Sequence, residues 1–135
     1  MSVGDDKKRD EIRRMIAKGK RVLDSARNMF ADGDFEGACS RAYYAVFHLM
    51  QAALFERDMV FSKHSGVTGT FFKEFVKSGT FPREYAKIIK RLQENREVGD
   101  YSYHKEIPKE VAKEDVIDAE TVVNAITDYL VRRGF

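Results

Sequence analysis

Between Ser40 and Gln51 the chain reads Ser-Arg-Ala-Tyr-Tyr-Ala-Val-Phe-His-Leu-Met-Gln. Coiled as a helix, this segment is apolar nearly all round, and such a helix is stable only when other helices surround it. The chain is therefore constrained to a helical bundle with this segment at its centre. Arg41 and His48 interrupt the apolar surface seven residues apart. That is close to two turns, so both side chains leave on one side. Tyr44 and Gln51 fall on the same stripe. Placing an arginine, a histidine and a glutamine in a core costs several kcal/mol unless each finds a partner. The stripe is either a polar network completed by an acidic residue from another helix, or the lining of a functional site.

The flanking sequence supplies the other helices. A first helix over about Asp5–Ala31 carries the stripe Ile12, Met15/Ile16, Gly19, Val22/Leu23, Ala26 and Met29/Phe30 at three-and-four spacing. Gly33 can stop it and Asp34 can cap the next helix, about Asp34–Arg57, which makes the two antiparallel neighbours. The stretch Asp58–Gly69 reads as irregular, followed by a short third helix over about Gly69–Lys77. Ser78-Gly79-Thr80 breaks the chain. Pro82 suits the first turn of a fourth helix with Thr80 or Phe81 at its cap. That helix shows Tyr85, Ile88/Ile89 and Leu92, and frays near Val98-Gly99. A loop over Gly99–Pro108 leads to a last helix from about Ala112, with Val116, Ala119, Val123, Ile126 and Leu130 on its buried side. No strand pattern persists. The expected fold is all-α, an up-and-down bundle of four longer helices plus a short one, forming a single domain over residues 1–135.

Composition narrows the setting. With 43% hydrophobic and 34% charged residues, no run approaches the ~18 apolar residues of a membrane span. The charged N-terminus does not resemble a signal peptide. A cytoplasmic protein is expected, with the lone Cys39 as a small buried hydrophobe. The net charge of +2 by itself predicts no polyanion partner. From Asp5 to Arg27, however, nine basic residues face five acidic ones. This excess is either a solvated helix face or a phosphate-contacting surface. Ten phenylalanines and six tyrosines are more than a small bundle buries with ease. Part of that surface is expected to meet a second copy, giving a homodimer.

No Gly-rich phosphate loop, zinc pattern or nucleophile triad is present, and no metal or cofactor is expected. The three histidines, His48, His64 and His104, are the natural proton carriers near neutral pH. Arg41, Tyr44 and His48 form one candidate set, either a site that holds phosphate and moves a proton or a register-fixing network. A second set is Arg96, Asp100, Tyr101, Tyr103 and His104, at a helix end and on the loop that Gly99 is read as turning. Arg96 could stabilise charge on phosphorus oxygens while His104 serves the ribose oxygens, an arrangement suited to cleaving RNA without a metal. The alternative is that Arg96 pairs with Asp100 while the loop tyrosines pack back on the bundle. Lys63-His64-Ser65-Gly66 reads as a capping or surface loop beside a helix start, where an anion could still dock.

The segment Ala38-Cys39-Ser40-Arg41-Ala42-Tyr43-Tyr44-Ala45-Val46-Phe47-His48 resembles the first signature of the HEPN (higher eukaryotes and prokaryotes nucleotide-binding) domains. Arg96-Glu97-Val98-Gly99-Asp100-Tyr101 is similar to the second. Together with helix order and length, the resemblance covers nearly the whole chain. It implies a small prokaryotic protein of toxin–antitoxin type, binding RNA or a nucleotide, homodimeric, and partnered by a minimal nucleotidyltransferase. Many such proteins are metal-independent endoribonucleases whose motif is an arginine, four to six residues, then a histidine, set in a cleft between two subunits. By this resemblance the arginine is Arg96. A common form continues with a tyrosine and, two residues on, a histidine. Tyr101 matches the tyrosine, Tyr103 occupies the histidine position, and His104 lies one residue further. Cleavage with Arg96 and His104 therefore stays open beside a binding-only module and a merely dimerising one.

Overall fold

The computed structural model describes residues 3–135. Met1 and Ser2, part of the N-terminus weighed above as a signal peptide, lie outside them. Five α-helices follow in order: α1 Val3–Ala31, α2 Phe35–Glu56, α3 His64–Phe71, α4 Glu84–Tyr101 and α5 Lys109–Arg132, with a π-helical turn Phe72–Val76 continuing α3. No strand occurs among the described residues. The fold is an all-α bundle.

The long amphipathic stripes pack as their spacing predicts. Ile12, Ile16, Leu23 and Ala26 of α1 are buried, as are Val116, Ala119, Val123, Ile126 and Leu130 of α5. Gly33 takes φ +82 at the end of α1, a conformation that suits glycine. The Gly37 N–H donates to the Asp34 carboxylate at 2.9 Å, capping α2. α2 is the central helix and packs on α1, α3, α4 and α5. Its apolar residues from Ala38 to Leu54 are the largest single contribution to the core. The polar stripe avoids that core: Arg41 is exposed, and Tyr44, His48 and Gln51 are half-buried. No acidic partner from another helix meets Arg41, which makes no ion pair or hydrogen bond among the described residues.

Four boundaries differ from the sequence expectation, each for a physical reason. α4 begins at Glu84 with Arg83 at its cap position, so Pro82 precedes the first turn and neither Thr80 nor Phe81 caps the helix; Phe81 is instead buried in the core. α3 begins at His64 rather than Gly69. Gly66 and Gly69 weaken its helix propensity, but Val67 and Phe71 enter the core and override that preference. α4 continues through Gly99 to Tyr101. Gly99 does not turn a loop, and its φ is not positive. A Cβ there would stand 3.2 Å from the Glu36 carbonyl oxygen, so the residue instead lets α4 lie close to the start of α2. α5 starts at Lys109, with Pro108 before it in extended conformation; the proline ends the preceding loop earlier than Ala112 suggests.

One buried polar cluster ties α4 to α5 beneath α2. Asp115 is fully buried. Its carboxylate accepts from Arg91 Nε at 3.1 Å and Asn95 Nδ2 at 2.8 Å. Arg91 also reaches Asp118 and, at 3.3 Å, Glu114. Burial holds the Asp115 carboxyl above its usual range, while its donors pull the other way. Cys39 of α2 is buried as expected and faces this carboxylate; burial and Asp115 push its thiol well above the usual range.

Candidate functional site

Five residues after Arg91, Arg96 leaves α4 on the side that α2 and α3 share. Its guanidinium lies over two aromatic rings, 5.0 Å from the Tyr43 centroid and 5.7 Å from that of Tyr44. Both distances allow cation–π attraction. Arg96 Nη1 donates to the Tyr44 hydroxyl at 3.4 Å. Two carboxylates stand further off, Asp100 at 3.8 Å and Glu97 at 4.0 Å. The side chain is only 12% exposed, and Nε is buried without a hydrogen-bond partner among the described residues. This cation is thus held by π-faces and long contacts, with bonding capacity left over.

An imidazole joins the same cluster. His64, the first residue of α3, stacks on Phe47 with centroids 4.0 Å apart. Its Nδ1 is 3.4 Å from the Tyr43 hydroxyl, and Tyr44 presents an edge to it at 6.0 Å. Burial, then the Arg96 charge, lower its pKa, so the ring is neutral near pH 7. Burial raises the Tyr43 hydroxyl, with Arg96 opposing, so that phenol stays protonated. His48 also neighbours Phe47, with 6.2 Å between ring centroids. Its pKa falls through burial and the Lys18 charge, while a hydrogen bond with Gln51 works against the fall. Along the end of α4 an open groove of about 450 Å³ is lined by Glu94, Glu97, Val98, Tyr101, Ser102 and Lys105, and Arg96 is not part of that lining.

Of the residues singled out in the sequence, Arg96, Asp100 and Tyr44 come together, with His48 one ring away. Arg41 is exposed on α2. Tyr101 and Tyr103 are 72% and 99% exposed, so the loop tyrosines do not pack back on the bundle. His104 is exposed; its N–H donates to Ser102 Oγ at 3.3 Å, and its ring makes no bond or ring contact with Arg96 among the described residues. The Arg96–Asp100 pairing is present, though long. Sequence reasoning missed His64, Tyr43 and Phe47 as a group with Arg96. No linear spacing links His64 to Arg96, since the link runs through rings on a third helix. Among the described residues no group of three or more His, Cys, Asp or Glu could hold a metal ion. No helix among them is long and apolar enough to cross a membrane.

Comparison with known proteins agrees with this architecture. A UPF0332 protein of Thermotoga maritima is 36% identical over 81% of this chain and 83% of its own length. Putative toxin MJ0605 of Methanocaldococcus jannaschii is 34% identical over 87% of each chain, and Putative toxin MJ0142 of the same organism is 29% identical over 92% of this chain and 84% of its own. The crystal structure of TT1696 from Thermus thermophilus superposes with a TM-score of 0.73 at 18% identity, covering 87% of this chain and 96% of that one; the likeness shows the shared fold. The family model of the HEPN domain matches residues 12–129, and the chain belongs to the HEPN domain family.

Proposed function

We propose that this protein is a toxin-type HEPN protein of the cytoplasm that binds RNA, or a nucleotide, through phosphate at Arg96. It acts as a homodimer whose activity a minimal nucleotidyltransferase partner controls. One observation carries the binding reading: Arg96 is almost buried, yet its charge meets aromatic faces, one long hydrogen bond to the Tyr44 hydroxyl and two carboxylates no closer than 3.8 Å. A phosphate oxygen is the ligand such a guanidinium lacks. Tyr44 and the exposed Tyr101 and Tyr103 supply stacking surfaces for bases. The basic excess of α1 adds long-range attraction. The toxin role is supported by the names of two relatives, and the exposed tyrosines at the end of α4 suit a contact with a second subunit.

Fluorescence anisotropy of an end-labelled single-stranded RNA tests the reading. Saturable binding that weakens as salt rises and that Arg96→Gln reduces at least tenfold is expected, about 1.4 kcal/mol. Binding that Arg96→Gln leaves unchanged would remove the site from Arg96.

A further inference from the structure

We propose that the exposed face of α4 is the surface through which two copies of this chain pair, their α4 helices antiparallel across a two-fold axis; this rests on the homodimer of the reading above and adds its face and register. Arg83, Lys87, Lys90, Glu94, Glu97 and Tyr101 follow one another at alternating steps of four and three residues. That spacing puts all six on one stripe, the seam that a helix offers to a partner helix. All six are exposed. The side chains of Arg83, Lys87, Lys90, Glu94 and Tyr101 make no ion pair, hydrogen bond or ring contact among the described residues. Glu97 reaches only Arg96, at 4.0 Å.

The stripe is divided by sign. Cations fill its first half, and carboxylates and a tyrosine its second. Within one helix that order is unfavourable. Like charges stand three or four residues apart in each half, which weakens an isolated helix. The macrodipole favours anions at the start of a helix and cations at its end, the reverse of this stripe. A second copy turns the same order to advantage. With the two-fold axis near Leu92, Lys90 meets the partner's Glu94 and Lys87 meets the partner's Glu97. Arg83 meets the partner's Tyr101, whose ring face suits a guanidinium. Each contact occurs twice, as a two-fold interface requires. A parallel pair would set every charge against its own kind. The stripe thus selects one orientation and rejects the other.

The acidic half also carries the space for a partner. The open groove of about 450 Å³ at the end of α4 has Glu94, Glu97, Val98 and Tyr101 in its lining, and Tyr101 is 72% exposed. In the antiparallel register this groove receives the first half of the other α4. The aliphatic stems of the partner's Lys87 and the partner's Arg83 would cover Val98 and Tyr101 while their charged heads reach the carboxylates and the ring. Packing in the groove supplies apolar burial, and the charges fix the register. Arg96 leaves α4 towards Tyr43 and Tyr44 instead, so the pairing face and the candidate phosphate site are separate.

Sedimentation equilibrium of the full chain at low salt tests the pairing. Wild type is expected to form a dimer that weakens as salt rises. Lys90→Glu sets carboxylate against carboxylate at both contacts, and Glu94→Lys sets amine against amine. Each should raise the dimer dissociation constant about tenfold or more, while circular dichroism shows both variants folded. Mixed one to one, the two variants oppose unlike charges at both contacts. The mixture should dimerise within about threefold of wild type, and so should the double variant Lys90→Glu/Glu94→Lys. Arg96→Gln should pair like wild type, whatever it does to RNA binding. A wild-type dimer that survives both single reversals overturns this face and leaves the homodimer standing on another surface. A mixture that does not recover the dimer overturns the antiparallel register. A wild type that stays monomeric at the highest concentration reached overturns both this pairing and the homodimer, and leaves the stripe to a different protein.

Discussion

Arg91 and Arg96 stand on the same helix, five residues apart, and the protein uses them in opposite ways. Arg91 points towards α5 and meets Glu114, Asp115 and Asp118, with Asp115 fully buried and also bonded to Asn95. Arg96 points towards α2 and α3 and meets two tyrosine rings, a third ring neighbour in His64, and carboxylates no closer than 3.8 Å. The first guanidinium has its charge balanced inside the fold and fastens two helices. The second is packed as tightly but left electrically short of a partner. Burial alone does not separate an arginine whose charge is spent inside the fold from one with bonding capacity left over; the closeness and number of its anionic partners does.

The comparison breaks most visibly at Asp115. Asp115→Ala leaves Arg91, Asn95 and Cys39 without their common acceptor and should lower unfolding stability by about 3 kcal/mol, read from urea denaturation. RNA affinity of the folded protein should stay within about twofold, since the two sites share no partner. A loss below about 1 kcal/mol would mean that Arg91 is not the fastening arginine.

Arg96→Gln should give the reverse profile. RNA affinity falls tenfold or more, about 1.4 kcal/mol, while stability falls by about 1 kcal/mol or less, the worth of its cation–π contacts. Denaturation and anisotropy on the same preparation check both halves.

Acidification sharpens the contrast through the histidines. His48 and His64 both have folded pKa values below the ordinary imidazole value. The unfolded chain therefore takes up protons first as pH drops, and the stability these rings allow is complete above the ordinary value and lost as pH falls towards their folded values. Asp115, raised in the fold, acts in the opposite sense at lower pH. Melting should thus weaken modestly from pH 7.5 to 5.5, and His48→Gln should flatten the slope. A melting temperature that rises on acidification across that window would contradict the placement of these rings.

The smallest effect belongs to Tyr103. It is 99% exposed, so Tyr103→Ser should change the stability of the isolated subunit by less than about 0.5 kcal/mol. A larger loss that depends on protein concentration would place this tyrosine in a subunit contact.

Much of the fold was legible because three helices announce themselves by period. The stripes of α1, α2 and α5 each repeat over many turns, and Gly33-Asp34 carries its own stop and cap chemistry. Hidden features lay where one residue type supports two readings. Gly66 and Gly69 look like loop residues until Val67 and Phe71 are seen to be core. Gly99 looks like a turn until the α2 backbone is found 3.2 Å from where its Cβ would be. Asp115 precedes Val116 in what reads as an ordinary amphipathic helix, and nothing in the sequence says that Arg91 waits for it. The candidate site divides the same way. Arg96, Tyr44 and Asp100 were visible because they lie in short motifs. His64 was not, because its relation to Arg96 exists only through Phe47 and Tyr43 on a different helix.

The most direct test of the two-arginine account watches both side chains in one experiment. Side-chain Nε–Hε resonances of Arg91 and Arg96, assigned by their Arg→Lys variants, are followed while a short single-stranded RNA is added. The Arg96 resonance is expected to shift and saturate with the dissociation constant found by anisotropy, while Arg91 stays in place. An Arg96 resonance that does not move at saturating RNA, or an Arg91 resonance that moves in its stead, would contradict the two-arginine account.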